Sequence, residues 1–214
     1  MNFAPLQTKR LNLWPLGKDD LGSLARLVGD CETPHTSTQG FLPTDAVHLP
    51  AWVQACHAHM VAGVSFTFGC RRRVDHALVG VASLIVGDGR GEITFWFLGS
   101  YFGLGYEAEA LSRLKELAFD SLYLPRLCAV TDVVNCNTIG ILEEVGLGSI
   151  HVGSIDNLAL AEGNGARFFE LKRCSGRNHQ TDAMPPVVFV GAVALVDHFN
   201  RVLLGQRPAG KAMP

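Results

Sequence analysis

"SYFGLGYEAEAL", Ser100 to Leu111, is the stretch on which the reading of this chain turns. Gly103-Leu104-Gly105 followed by Tyr106-Glu107-Ala108 reads G-x-G-x-x-A. Glycines at this spacing let a backbone come close to a phosphate, because no Cβ stands in the way. Helical spacing follows at once through Ala110, Leu111, Leu114, Leu117 and Ala118, which predicts a helix over Tyr106 to Leu122. A glycine turn feeding a helix N-terminus is an anion site in outline. Which phosphate it serves depends on what surrounds it.

Three strand-like runs precede the turn, Ser65 to Arg71, Ala77 to Val86 and Glu92 to Leu98. Gly87-Asp88-Gly89 joins the last two and is a hairpin signal, so they pair antiparallel. Further upstream, Arg10 to Trp14 alternates as a strand. Asp19 or Asp20 then caps a helix with Leu21, Leu24, Leu27 and Val28 on one face. Gly29 to His48 reads as loop, and Pro50 opens a helix through Val61. Downstream come a strand at Arg126 to Thr131, a helix at Asn137 to Val145 stopped by Gly146, and strands near Ser149 to Ile155 and Arg167 to Lys172. A dinucleotide fingerprint needs its glycines after the first strand of a parallel unit, with an acid about twenty residues on. Here antiparallel strands come first, and Tyr123-Leu124-Pro125 stand where the acid belongs. Both counts weigh against a nicotinamide dinucleotide, a reading that would need binding of NAD.

Composition narrows the classes further. With 214 residues, 48% of them hydrophobic, the chain fills a core without staples. Eighteen basic residues against 20 acidic ones give a net charge of −2 and no footprint for nucleic acid. Cysteines 31, 56, 70, 128, 136 and 174 form no C-x-x-C pair, and the N-terminus has no basic-then-apolar leader. The longest apolar run, Val187 to Val196, is about half of what a membrane helix needs. The expectation is a reduced, cytoplasmic protein, monomer or homodimer, with no membrane partner. His57 and His59 in "CHAHM" lie two apart on a predicted helix and point to different faces, so no metal site is expected with Cys56.

The order of elements and four stretches resemble the GNAT acetyltransferase superfamily, in its branch acting on ribosomal-protein N-termini and related small amines. The stretches are "TKRLNLWPL" (Thr8 to Leu16), "GEITFWFLGSYFGLGYEAEAL", which holds the glycine turn, and "LPRLCAVTDVVNCNTIGILEEVGL" (Leu124 to Leu147) with its Asn-containing turn and its helix ending in Gly. The likeness spans roughly residues 6–173 and implies an α/β fold, a mixed, largely antiparallel sheet flanked by helices, in a domain over 1–173. It implies acetyl-CoA as cofactor and an amine as acceptor, either a protein N-terminus or a small molecule, attacked directly.

The resemblance also implies roles for residues. Trp96, Phe97 and Leu98, up to Gly99, would hold the pantetheine arm where the central strand parts from its neighbour. An N–H near Leu98 would stabilise the oxyanion. The backbone of residues 101–106, with Phe102, Gly103, Leu104, Gly105 and Tyr106, would hold the pyrophosphate. Family members often carry Arg or Lys between the glycines and Gln or Arg at the turn's start; here those positions are Leu104 and Ser100. Asn135 matches the Asn beside the pantetheine, or is a helix cap or turn residue. Thr138 stands where Ser is usual. Glu92 is the candidate for a water-mediated base, or a hairpin-end carboxylate in solvent. Phe41 and Trp52 are candidate walls of the acceptor side, or core. Tyr123 is weighed as a proton donor to the leaving thiolate, and no tyrosine lies in Asn137 to Leu147, so that acid stays unassigned. Cys136 reads as a small turn residue. An α-amine near pKa ~8 is far easier to deprotonate than a lysine near ~10.4, so a site without a dedicated base is workable. The alternative is a catalytically inactive CoA-binding sensor or scaffold.

Residues 174–185, "CSGRNHQTDAMP", are polar and read as a linker. The segment 186–214 resembles the opening strands of a Nudix hydrolase, set as two strands about a turn near Asp197 to Asn200. No Glu follows Glu170, so magnesium-dependent hydrolysis lacks its ligands. The expectation is a truncated Nudix-like fragment, or simply an extra hairpin.

Overall fold

Asp88 and Gly89 both take positive φ, 49° and 67°, between the paired residues Gly87 and Arg90. This two-residue loop, with both central residues left-handed, fixes the register of the central hairpin. Around it, a computed structural model describes residues 5–29, 42–150 and 166–173. The chain divides into two compact units, Met1–Cys174 and Ser175–Pro214. The second, including the Nudix-like stretch, lies outside the described residues.

The described strands are β1 (Leu6–Gln7), β2 (Leu11–Pro15), β3 (Ser65–Arg72), β4 (Leu78–Gly87), β5 (Arg90–Phe97), β6 (Arg126–Asp132), β7 (Gly148–Ile150) and β8 (Ala166–Lys172). They form one sheet in the order β1-β2-β3-β4-β5-β6-β8-β7. Every pairing is antiparallel except β5 with β6. The helices are α1 (Leu21–Gly29), α2 (Leu49–Val61), α3 (Tyr106–Glu116) and α4 (Cys136–Val145). This is the expected mixed, mostly antiparallel α/β arrangement.

Two apolar clusters hold the helices to the sheet. Ala110, Leu111 and Leu114 of α3 and Ile139, Leu142 and Val145 of α4 pack with Ile93, Phe95 and Phe97. Leu24 and Leu27 of α1 and Leu49 and Val53 of α2 pack with Leu78 and Val81, joined by Trp52, Trp96 and Leu98. Alternation along β5 therefore sends Phe95 and Phe97 toward α3 and sends Trp96 and Leu98 toward α2.

Several local expectations shift. The short β1 was not anticipated. The Asp20 side chain turns back to accept the Gly17 amide at 2.8 Å and pairs with Arg71, closing a 3-10 turn (Lys18–Asp20) ahead of α1 instead of capping α1 itself. Beyond Glu116 the helix continues as a π turn, Leu117–Ser121, closed by the Leu122 amide on the Leu117 carbonyl at 3.0 Å. Pro50 does sit in the first turn of α2, and Gly146 ends α4 in the left-handed region at φ 96°.

Candidate active site

The ladder between β4 and β5 decides which backbone groups of the central strand face outward. The Leu98 amide donates to the Val79 carbonyl at 2.9 Å. Antiparallel pairs alternate between hydrogen-bonded and not, so Trp96, Thr94 and Glu92 share the parity of Leu98 and bond toward β4. Phe97 has the opposite parity, and its amide and carbonyl turn toward β6. Leu98 is thus corrected as the oxyanion donor, since its N–H is already bound to Val79, and the parity assigns the outward direction to Phe97. The signal for this was in the sequence: counting outward from the closing pair of a two-residue hairpin gives the same parity.

On its other side β5 meets β6 only at Gly91↔Leu127 and Glu92↔Cys128. Beyond Glu92 no ladder pair joins the two parallel strands, so the stretch of β5 up to Phe97 is unpaired on this side. Glu92 itself lies at the closed end, five residues from Phe97 along an extended strand, or about 17 Å. It is half-buried on the α2 side of the sheet. Tyr123, at φ 53° just before β6, is also at the closed end, exposed, with Arg173 over its ring at 5.1 Å. The structure does not bring either residue to the open end of the splay.

The glycine turn follows β5 directly. Gly103 and Gly105 take φ of 75° and 77°, which L side chains rarely adopt. A Cβ on Gly103 would meet nothing within 4 Å, so the surface above it is open. The turn differs from expectation in where its amides point. Tyr101 donates to Leu98 O at 2.9 Å, Phe102 to Gly99 O at 3.1 Å, and Leu104 to Tyr101 O at 3.4 Å. The Gly103 amide donates inward to Glu107 Oε1 at 3.1 Å. Four of the amides over 101–106 are therefore engaged within the chain. Those of Gly105 and Tyr106, at the N-terminus of α3, make no such bond among the described residues.

A cation missing from the turn is supplied from elsewhere. Leu104 is 55% exposed and apolar, but the Arg10 guanidinium donates to its carbonyl at 2.9 Å and lies over the Tyr106 ring at 4.4 Å. One guanidinium nitrogen stands 3.3 Å from where a Gly105 Cβ would be. Glu109 anchors this arginine, accepting Nε and the Arg10 amide at 2.6 Å each. Burial works against the Glu109 charge, but Thr8 and both Arg10 donors outweigh it and hold its carboxyl below the usual range. Arg72, from the basic run, ion-pairs with Asp75 and lies 5.3 Å from the Tyr101 ring centroid. Sequence reasoning missed Arg10, although its place in "TKRLNLWPL" was in view.

Across the opening, Asn135 caps α4, its Oδ1 accepting the Thr138 amide at 3.1 Å. The hydroxyls of Thr131 and Thr138 are fully buried and without hydrogen-bond partners among the described residues. Cys136 opens α4 and is exposed.

On the α2 side, a cavity of about 310 Å³ is lined by Trp52, Cys56, His59, Thr67, Ser83 and Ile85, among others. Thr67 and Ser83 share a buried hydrogen bond of 2.9 Å, and Thr94 stands beside Ser83 in the next strand. Burial pushes the Cys56 thiol up to about 11, with a Thr67 hydrogen bond opposing it. Trp52 is therefore a wall residue between this cavity and the α2 cluster. Phe41 lies outside the described residues. His57 bonds the Leu16 carbonyl through its ring, and among the described residues no group of His, Cys, Asp and Glu is gathered for a metal. No described helix is long and apolar enough to cross a membrane.

Residues 10–148 match the model of the acetyltransferase (GNAT) domain. The chain belongs to the GNAT acetyltransferase family. Its fold is similar to that of several solved structures. A protein assigned as a ribosomal-protein-serine acetyltransferase from Vibrio cholerae is 20% identical, over 81% of this chain and 99% of its own, with a TM-score of 0.68. RimL, a ribosomal L7/L12 alpha-N-protein acetyltransferase solved with coenzyme A, is 12% identical over 79% of this chain and 98% of its own, with a TM-score of 0.67. The microcin C7 self-immunity acetyltransferase MccE, solved with acetyl-CoA and AMP, is 11% identical over 77% and 93%, with a TM-score of 0.63. No curated protein matches the sequence. The domain match of this acetyltransferase ends at residue 148, and the comparisons bring no Nudix domain to residues 186–214.

The acetyltransferase's residues fit a phosphate-bearing thioester on three observations. The strands part on one side only, the space over Gly103 is open, and the buried hydroxyls of Thr131 on β6 and Thr138 on α4 lack partners among the described residues. The departure is Glu107, an acid folded under the turn.

Proposed function

We propose that this GNAT acetyltransferase moves an acetyl group from acetyl-CoA to a primary amine, a protein N-terminus or a small amine, by direct attack. The observation that carries the reading is the one-sided parting of β5 from β6, which ends at the glycine turn. Acetyl-CoA supplies an acetyl group already activated as a thioester. The chain's own residues bind, orient and polarise. The Gly105 and Tyr106 amides, with the Arg10 guanidinium, hold the phosphates at the positive end of α3. The Phe97 amide, turned into the opening, is the donor for the acyl oxygen, in a strand kept rigid by its full ladder to β4. Asn135 and Thr138 line the opposite wall.

The acceptor side is the α2 face, with Trp52 and the hydroxyl-lined cavity. Phe41 is the second candidate wall residue on that side, with core as its alternative. Glu92 lies about 17 Å along β5 from Phe97, out of reach of the reacting atoms directly or through one water, and is given no part in the reaction. An α-amine needs less deprotonation than a lysine, so positioning and water suffice for it.

The test is twofold. Coenzyme A at about 100 times its dissociation constant stabilises by about 2.7 kcal/mol, which raises the melting temperature by about 5–11 °C at this size. Thiol release from acetyl-CoA should then depend on added peptide or polyamine. Stabilisation without turnover on any amine favours the inactive CoA-binding sensor, and no stabilisation removes the reading.

A further inference from the structure

The proposed reaction leaves Glu107 without a task. It is the second residue of α3, and its side chain is fully buried. Oε1 accepts the inward-turned Gly103 amide at 3.1 Å, while Oε2 is buried with no hydrogen-bond partner among the described residues. An ionised oxygen left unsatisfied in the interior is costly to keep. Its surroundings do little to neutralise it. From β2, Arg10 acts on it from a distance while bound to Glu109 and the Leu104 carbonyl. From α4, Glu144 adds negative charge, and from β3, Cys70 contributes a buried thiol that burial keeps protonated. Burial outweighs the bonds to the Gly103 and Glu107 amides and holds the Glu107 carboxyl above its ordinary range.

We infer that Glu107 is a resident anion beneath the glycine turn, and that a phosphate-bearing ligand seated on this turn binds together with a proton taken up on Glu107. The inference rests on the acetyl-CoA reading and adds a coupling to pH that the reading does not contain. The geometry supplies the reason. Gly103, whose amide Glu107 holds, is two residues from Gly105, the N-cap of the same helix, whose amide makes no hydrogen bond among the described residues. A phosphate on the outer amides and a carboxylate on the inner one are then two anions on opposite sides of one turn, partly shielded from water. Protonation removes the repulsion at little loss. Oε1 still accepts from Gly103, and the orphaned Oε2 becomes an O–H. The proton comes from solvent, and no other bond changes.

The test is calorimetric titration of coenzyme A into the full chain and into its Glu107→Gln variant, in PIPES, HEPES and Tris, whose ionisation enthalpies differ. The expected result is greater proton uptake by the wild type than by the variant. Its dissociation constant should also weaken with rising pH more steeply than the variant's, by at most about tenfold per pH unit. The ligand's own phosphate titrates alike in both and drops out of the difference. Equal proton numbers with parallel pH profiles overturn the inference while leaving the cofactor reading intact. Absence of binding to either protein removes both. Should the variant not fold, the infrared difference spectrum of the wild type decides. A protonated carboxylic-acid stretch that grows with coenzyme A supports the coupling, and its absence overturns it.

Discussion

Replacing Gly80 by Ala presses on the one strand the proposed chemistry depends on. Gly80 lies opposite Phe97 across the β4–β5 ladder. An added Cβ would fall 2.5 and 2.6 Å from Phe97 Cγ and Cδ1 and 2.7 Å from the Trp96 carbonyl oxygen. Ordinary carbon contacts lie at about 3.5–4.0 Å, so the ring must retreat by about 1 Å. It has nowhere to go, being fully buried with its edge against Phe95 at a centroid distance of 6.3 Å. The Trp96 carbonyl belongs to the ladder and moves only with β5. Overpacking of this kind costs about 1–3 kcal/mol, which at about 2–4 °C per kcal/mol lowers the melting temperature by about 2–12 °C. Displacing Phe97 also moves its amide, so acetyl transfer should fall further than stability accounts for. Gly140→Ala is the control, since Gly140 lies exposed within α4 and a Cβ there meets nothing within 4 Å. That variant should gain about 0.5–1 kcal/mol from helix propensity. Differential scanning fluorimetry and a thiol-release assay read both effects. A Gly80→Ala protein that melts with the wild type and turns over normally would refute the packing argument.

Three other outcomes follow from described contacts. Glu107→Gln should stabilise the chain at neutral pH and lose that advantage in acid. The folded carboxyl binds its proton more tightly than the unfolded one, so the contribution of Glu107 to stability is fullest below the ordinary carboxylate range and is lost as pH rises through the raised folded value; a melting-temperature gap that is flat from acid to neutral pH contradicts this. Arg71→Met strands the Asp20 carboxylate, which is 2% exposed, and should cost about 3 kcal/mol in urea unfolding, with Asp20→Asn in the same chain recovering part of it. Leu104→Lys restores a cation between the glycines and should tighten coenzyme A by about two- to fivefold, worth ~0.5–1 kcal/mol, with a steeper salt dependence by calorimetry.

The architecture was legible because its punctuation is local. Gly87-Asp88-Gly89 dictates a hairpin, Pro50 a helix start and Gly146 a helix stop, whatever lies around them. The site was legible only as far as the turn and the strand before it. Placing the oxyanion donor at Leu98 went astray because a strand's outward amides follow ladder parity, and the count from the hairpin's closing pair turns Leu98 toward β4. Arg10 lies more than ninety residues from the turn it crosses, and no local pattern reports such a contact. Glu107 carries no role in the sequence reading, and only the fold reveals that it is buried.

The seam between β5 and β6 has a mechanical consequence. With two residue pairs joining them, the sheet resembles two antiparallel leaves on a short spine, β1 to β5 on one side and β6, β8 and β7 on the other. A ligand lying in the gap takes the place of the missing ladder and stiffens the spine. Such a protein would report occupancy of its cofactor cleft as slower amide exchange along β6, the strand on the far side of the gap.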